Sequence, residues 1–259
     1  METFQLSEKL LKKIANLILA KKNTPLKKIV KDIHFADMAE IINELNEDQG
    51  VYLIKLFDSE KTSEILTELD EDVREKILNV LSVKEIADEI EELDSDDAAD
   101  ILGELSEKRK EEVISEISDN DLADDLKELL SYKEDSAGGL MAKELVQANE
   151  NWSVTKCLKE IKKQGENVTR VHSIYVVDDK QKLIGRLSLK DLITSPAKNL
   201  IKDIYIPKVD SVNVFEDGEE VAKIMSKYDL EAIPVVDNKK QLVGRITIDD
   251  IIDFIKEEA

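Results

Sequence analysis

The 259-residue sequence has little of what most catalytic and metal centres use. One cysteine, Cys157, and two histidines, His34 and His172, exclude an intramolecular disulfide and a zinc site of the usual Cys/His kind. A lone cysteine fits a reducing cytosol, and Cys157, in an amphipathic helical pattern opened by Ser153, reads as a small buried hydrophobe. No run approaches the ~18 consecutive apolar residues of a membrane-spanning helix, and METFQLSEKLLKK has no apolar signal core. The polypeptide as given is therefore expected to be soluble and cytoplasmic. Positive charge is scarce: 37 Lys+Arg face 58 Asp+Glu, a net charge of −21. A phosphate backbone is bound by clustered Lys and Arg, so nucleic acid is not an expected partner, and small cations held by carboxylates are favoured. The Walker-type phosphate loop, H-E-x-x-H and G-x-S-x-G are all missing, and no nucleophile stands with a base, so no enzyme activity is expected. Aromatic residues are only 4% of the chain, and packing is the reading for Trp152 and His172.

What is present begins with a repeat. Cap-type residues Asn46, Asp58, Asp70, Ser82, Asp94, Ser106 and Ser118 follow one another at intervals of twelve, each after a large apolar residue. Such side chains accept hydrogen bonds from the free N–H groups at a helix start, and Ser82 with Glu85 has capping-box spacing. Between the caps a phrase recurs, as in MAEIINEL at 38–45, TSEILTEL at 62–69 and AADILGEL at 98–105. Isolated helices of this length are unstable in water, so the units must stack to bury their Ile and Leu faces. No proline interrupts 26–130, and an all-helical superhelical repeat domain over 1–131 follows. Acid concentrates at its end: residues 82–130 hold 19 Asp+Glu and 5 Lys+Arg. That is a solvated face or a cation-controlled surface. Asp96 and Asp100 lie one turn apart on one helical face.

The second half is duplicated. SIYVVDDKQKLIGRLSLKDLI (173–193) recurs as AIPVVDNKKQLVGRITIDDII (232–252), an offset of 59 residues with ten identities. Each copy reads as a strand, a polar turn, a strand and a helix opened by Ser188 or Thr247, with VTKCLKEIKK and EEVAKIMSKY as helices upstream. These copies resemble a tandem pair of cystathionine-β-synthase (CBS) domains, whose I-P-V-V-D strand and G-h-h-S/T-x-x-D signature stand here as GRLSLKD (185–191) and GRITIDD (244–250). The expected fold class is α plus α/β: the helical domain, then β-α-β-β-α CBS units over 132–198 and 199–259. The resemblance implies a regulatory module that in many members binds ATP or another adenine nucleotide, and nominates Ser188 with Asp191 and Thr247 with Asp250. On the residues alone, Ser188 and Thr247 are equally well helix caps.

An acidic helical repeat, the EDSAGGLM junction (134–141) and a CBS pair in this order resemble the cytosolic portion of the MgtE family of magnesium transporters and channels. The resemblance implies a homodimer through the CBS domains at the cytoplasmic face of the cell membrane. In it Mg2+ bridges the helical domain and the CBS pair and favours the closed pore. It assigns as metal ligands Glu64, Asp96 and Asp100 in the helical domain, the Gly139 carbonyl, Asp217, Glu219, the Ser226 carbonyl, Asp229, Asp250 and Asp253, with Glu258 opening a connecting helix. Family members continue into a transmembrane pore domain, whereas this sequence ends at DDIIDFIKEEA. The expectation is that these residues do not conduct ions and are either a fragment of such a transporter, with the pore domain of the same protein as partner, or a family member lacking the pore. Mg2+ keeps several waters, so such sites are weak and must act together; moving a two-state equilibrium from 1:99 to 99:1 takes about 5.5 kcal/mol, or roughly four ions at ten times their dissociation constant. The alternative function is an adenine-nucleotide-binding CBS module whose helical array binds a protein partner.

Overall fold

The computed structural model describes residues 4–168 and 170–257. It divides into two compact units, one of residues 1–93 and 100–123, the other of residues 94–99 and 124–259. Among the described residues no helix is long and apolar enough to cross a membrane.

The first unit is built from short helices whose starts follow the sequence repeat. After α1 (Glu8–Leu19) and α2 (Asn23–Val30) come α3 (Phe35–Asn43), α4 (Glu47–Ile54), α5 (Ser59–Thr67), α6 (Glu71–Val80) and α7 (Val83–Ile90). They are followed by α8 (Ser95–Gly103), of which residues 95–99 belong to the second unit, α9 (Glu107–Glu116), and α10 (Asn120–Leu129), of which residues 124–129 belong to the second unit. Four next-but-one pairs pack together: α5 on α3, α6 on α4, α7 on α5 and α9 on α7. This buries Ile41, Ile42, Leu53, Ile54, Ile65, Leu66, Ile77, Leu78 and Ile86 almost completely, and that burial holds helices too short to persist alone.

Asn46, Asp58 and Ser82 cap α4, α5 and α7 through their side chains, Ser82 with Glu85 in a full capping box. Asp70 and Ser106 occupy the cap position without a side-chain bond. Ser118 does not cap its helix: its N–H and hydroxyl are both held by Glu91, and Asp119 takes the cap by accepting from Asp121 and Leu122. His34, left without a role by the sequence, caps α3 through Nδ1.

Helix C-termini are closed by cations from other helices. Lys61 donates to the carbonyls of Val30 and Ile33 at 3.2 and 3.0 Å, and Arg109 to Leu78 at 2.8 Å. Arg74 reaches Leu66 and Thr67 at 3.3 Å while pairing with Glu104. These are the carbonyls a helix end leaves without intrahelical partners.

The second unit carries two three-stranded sheets. The first copy is β1 (Val146–Asn149), α11 (Val154–Gln164), β2 (Ile174–Val177), β3 (Leu183–Leu187) and α12 (Leu189–Thr194); the second is β4 (Val212–Asn213), α13 (Gly218–Tyr228), β5 (Ala232–Val236), β6 (Leu242–Thr247) and α14 (Ile248–Glu257). Strand orders are β1-β2-β3 and β4-β5-β6, the first pair of each parallel and the second antiparallel. This is the α plus α/β architecture expected, and the duplication extends to detail. Register irregularities fall at Val176/Val177 and Val235/Val236. Gln181 and Lys240 both take positive φ, 62° and 64°, in turns where Asp178 and Asp237 accept two backbone N–H groups each.

The glycine of each signature has a steric reason. Arg186 exchanges backbone hydrogen bonds with Ile206, and Arg245 with Ala142, so an extended segment runs across each hairpin. A Cβ on Gly185 would strike the Ile206 carbonyl, and one on Gly244 would come within 2.8 Å of the Ala142 carbonyl. Cys157 is fully buried in the first copy's core with Ile174, Val176 and Leu187. Burial pushes its thiol up to about 11, which leaves it inert.

Candidate metal centre

Within the second unit, the first turn of α8 meets the segment after the junction and the start of α14. Ser95 is fully buried; its N–H and hydroxyl donate to Glu144 Oε2 at 3.1 and 2.8 Å, and its Oγ accepts the Lys143 N–H at 2.8 Å. This three-way fit turns Glu144 toward the helix start, where a negative group satisfies free N–H groups and the helix dipole. Asp94, the repeat residue before α8, turns its carboxylate to Arg245, whose Nη2 lies 3.4 Å from Oδ2. The Arg245 guanidinium, on the buried side of β6, also donates to the Glu144 carbonyl.

The result is a carboxylate cluster. One oxygen from each of Asp94, Asp96 and Glu144 lies within 4.8 Å of the others. Asp250 belongs to the same field: it is held at the start of α14 by the Thr247 N–H at 2.7 Å, with the Thr247 hydroxyl also 2.7 Å away. The charges are poorly tolerated. Asp96 is raised well above the usual carboxylate range, first by lost hydration and then by Asp250 and Asp97. Asp97, on the surface of α8 but with a crowded carboxylate, is pushed up to about 7 by lost hydration and then by Asp250, Asp94, Asp253 and Asp249. Asp94 is raised by lost hydration and Glu144, with Arg245 acting in the opposite sense. Asp250 is raised by lost hydration against the hydrogen bonds from Thr247. Crowded hard-oxygen donors with a surplus of negative charge suit Mg2+ or Ca2+, and thiolate or imidazole metals find no ligand of their kind among them.

The remaining nominated residues fall in several places. Asp250 and Asp96 act on one another, and Asp253 acts on Asp97 while pairing with Lys256 at 2.5 Å. Glu64 and Asp100 are exposed residues of the first unit. Gly139 lies in the junction, its N–H donating to the Ser136 carbonyl at 2.9 Å. Asp217 sits beside that junction, since Ser136 bridges it and Gly218 donates to the Asp135 carbonyl at 2.8 Å. Asp217 caps α13 by accepting the Glu219 N–H, and Glu219 pairs with Lys223. Ser226 and Asp229 lie at the far end of α13, about 15 Å along the axis, so one ion cannot take ligands from both ends. Glu258 is outside the described residues.

At the nucleotide-type positions, Ser188 accepts the Asp191 N–H at 3.0 Å and donates to its carboxylate at 2.7 Å, a closed helix cap. Thr247 differs: its hydroxyl faces the Asp249 and Asp250 carboxylates as donor, and its N–H donates to Asp250. Beside Arg245 a cavity of about 10 Å³, lined by residues including His172 and Tyr175, has room for a single water. Sequence reasoning passed over Asp97, Glu144 and Arg245 and read Asp94 only as a cap. The one available signal was Arg245, identical to Arg186 in the other copy.

Residues 33–135 match the MgtE intracellular N domain, and 137–198 and 201–257 match CBS domains. The magnesium transporter MgtE of Thermus thermophilus is 41% identical over 128 residues, 49% of this chain and 28% of the relative. That of Enterococcus faecalis is 39% identical over 130 residues, 50% of this chain and 29% of the relative. This chain thus spans less than a third of the length of these relatives in the matched region. Among solved structures, the soluble part of a magnesium transporter superposes with a TM-score of 0.81 at 29% identity, covering 97% of this chain and 99% of the other. The cytosolic domain of the Mg2+ channel MgtE in complex with ATP gives 0.86 at 30% identity, covering 94% and 99%. With its helical N domain followed by a CBS pair, the chain belongs to the MgtE family, in its cytosolic region.

Proposed function

We propose that the chain is the cation-sensing regulatory part of a magnesium transporter or channel, with Mg2+ as its ligand and without chemistry of its own. The carrying observation is the placement of Asp94, Asp96 and Glu144 within 4.8 Å of one another, in a field of further carboxylates that titrate high. Uncompensated, these charges oppose the packing of the first turn of α8 against the Glu144 segment and the start of α14. A divalent cation reverses the sign of that interaction. In the intact transporter, occupancy of this and the other nominated positions (the carboxylates Glu64, Asp100, Asp217, Glu219, Asp229, Asp253 and Glu258 and the carbonyls of Gly139 and Ser226) favours the closed pore. Asp217/Glu219 and Ser226/Asp229 then serve separate ions, because α13 keeps them apart.

The same reading includes a homodimer through the second unit. Leu189 and Ile193 of α12 and Ile252 and Ile255 of α14 are 44, 64, 47 and 49% exposed, an apolar face duplicated with the fold. The test is calorimetric titration of Mg2+ into the wild type and into Asp96→Asn with Glu144→Gln. The double variant should lose the tightest phase of binding; an unchanged isotherm would remove this cluster from the account.

A nucleotide reading stands second, favoured by the ATP-bound MgtE cytosolic domain of the same fold. On that reading Ser188 and Asp191 open from their mutual cap to meet ribose and phosphate. Thr247 and Asp250 are already engaged at the carboxylate cluster, which makes the motif of the first copy the better candidate. Saturable ATP binding lost in Asp191→Ala and kept in Asp250→Ala is the expected result.

A further inference from the structure

The charge of the chain is not evenly spread. Residues 1–31 contain eight lysines and two glutamates, a net +6, which leaves −27 on the other 228 residues. This segment lies before the N-domain match, which begins at residue 33. It folds as the α1–α2 hairpin of the first unit, anchored by Ile14, Ile18, Leu26 and Val30. The turn is fixed: Lys21 takes φ 51°, and the Lys21 and Lys22 N–H groups donate to Ile18 and Leu17 at 2.9 Å. Lys9, Lys12 and Lys13 fall on the side of α1 opposite Ile14 and Ile18; on α2, Lys28 is opposite Leu26 and Val30, Lys27 lies at the edge of their face, and Lys31 follows as the C-cap. All eight lysines are exposed.

In so acidic a chain these cations would be expected to find carboxylates. Among the described residues only Lys12 does, with Glu8 at 2.9 Å. Beside the turn lysines, at the end of α1, Leu19 is 71% exposed. A fixed lysine surface on which, among the described residues, seven of eight lysines have no carboxylate in ion-pair distance, with an apolar side chain at its tip, matches an anionic lipid interface, where lysines meet headgroups and a leucine enters the acyl boundary.

We propose that the α1–α2 hairpin docks on the anionic headgroups of a lipid bilayer and holds the first unit at the membrane surface. A bilayer is to hand on the reading that the chain is part of a transporter, but the docking requires no bound Mg2+. The strength follows from the number of lysines, each worth about fivefold in partitioning at an anionic surface.

The experiment is co-sedimentation of this chain, in EDTA, with phosphatidylcholine vesicles with and without phosphatidylglycerol. Binding should need phosphatidylglycerol, weaken with added salt, and fall by at least ~100-fold in a Lys9→Glu, Lys13→Glu, Lys27→Glu, Lys28→Glu variant. Circular dichroism checks that the variant is folded, and a Leu19→Ser variant, which keeps every charge, should bind several-fold less tightly. Equal sedimentation of wild type and charge-reversed protein overturns the proposal. So does salt-sensitive self-association without vesicle binding, which would make the acidic surface of a second copy the partner. Mg2+ titration of the same variant keeps the two readings apart, because loss of lipid binding with intact Mg2+ binding bears on the hairpin alone.

Discussion

Replacing Asp96 by Asn should stabilise the protein without divalent cations and destabilise it, relative to wild type, with them. Asp96 has two carboxylate neighbours within 4.8 Å, Asp94 and Glu144. At that distance and an effective dielectric near 20, two full charges repel by about 3.5 kcal/mol. Protonation already relieves most of this in the metal-free protein, since Asp96 titrates high, and Arg245 offsets the charge of Asp94. The net gain is therefore about 1–2 kcal/mol, a rise in Tm of roughly 2–8 °C for a chain of this size. Asn keeps the oxygen that accepts the Asp97 N–H, so the helix start is preserved. In Mg2+ at about 100 times the dissociation constant, wild type gains about 2.7 kcal/mol, most of which the variant forgoes. Scanning calorimetry in EDTA and in MgCl2 reads both arms. The order of Tm values should invert between buffers; a variant less stable by the same amount in both would refute the reasoning.

Other perturbations probe other links. Arg245→Met removes the cation facing Asp94 and the donor to the Glu144 carbonyl; metal-free stability should fall by about 2–3 kcal/mol while calorimetric Mg2+ affinity rises several-fold, and a fall in both would mean that Arg245 serves only packing. Glu89, in the first unit, is raised to about 8 by lost hydration and then by Asp88, Glu92, Glu85 and Asp58, and its Oε2 has no partner among the described residues. Its folded pKa lies above the ordinary 4.5, so its contribution is full below that value and is lost as pH rises through 8. Chemical denaturation should show stability declining from about pH 5 to pH 8 in wild type and less steeply in Glu89→Gln. Gly185→Ala should cost about 2 kcal/mol or more in urea unfolding, because the Ile206 carbonyl occupies the place of the new methyl.

The parts of the fold legible in the sequence are those set by local chemistry. A cap every twelve residues with Ile and Leu between specifies short stacked helices, and Ser82 with Glu85 forms the predicted box. The 59-residue duplication announces two sheets whose turns and register breaks coincide. Ser118 misled because its hydrogen-bonding capacity is taken by Glu91, 27 residues earlier. The cluster was half legible for the same reason. Asp96 and Asp250 sit in phrases that carry the family resemblance, whereas Glu144 meets Ser95 across 49 residues and Arg245 meets Asp94 across 151. Nothing in the local pattern of MAKEL marks Glu144 as a cluster member. The buried Ser95 hydroxyl that orients it looks in sequence like any helix-start serine.

The central claim is that a divalent cation fixes the first turn of α8 to the Glu144 segment and the start of α14. Hydrogen–deuterium exchange at the amides of residues 95–98 and 247–250 tests it most directly, comparing MgCl2 with NaCl at constant ionic strength. Exchange should slow in both segments with Mg2+, stay unchanged with Na+, and lose its Mg2+ response in Asp96→Asn with Glu144→Gln. Equal exchange in the two salts, with bound Mg2+ confirmed by calorimetry, would contradict it and place the ion elsewhere.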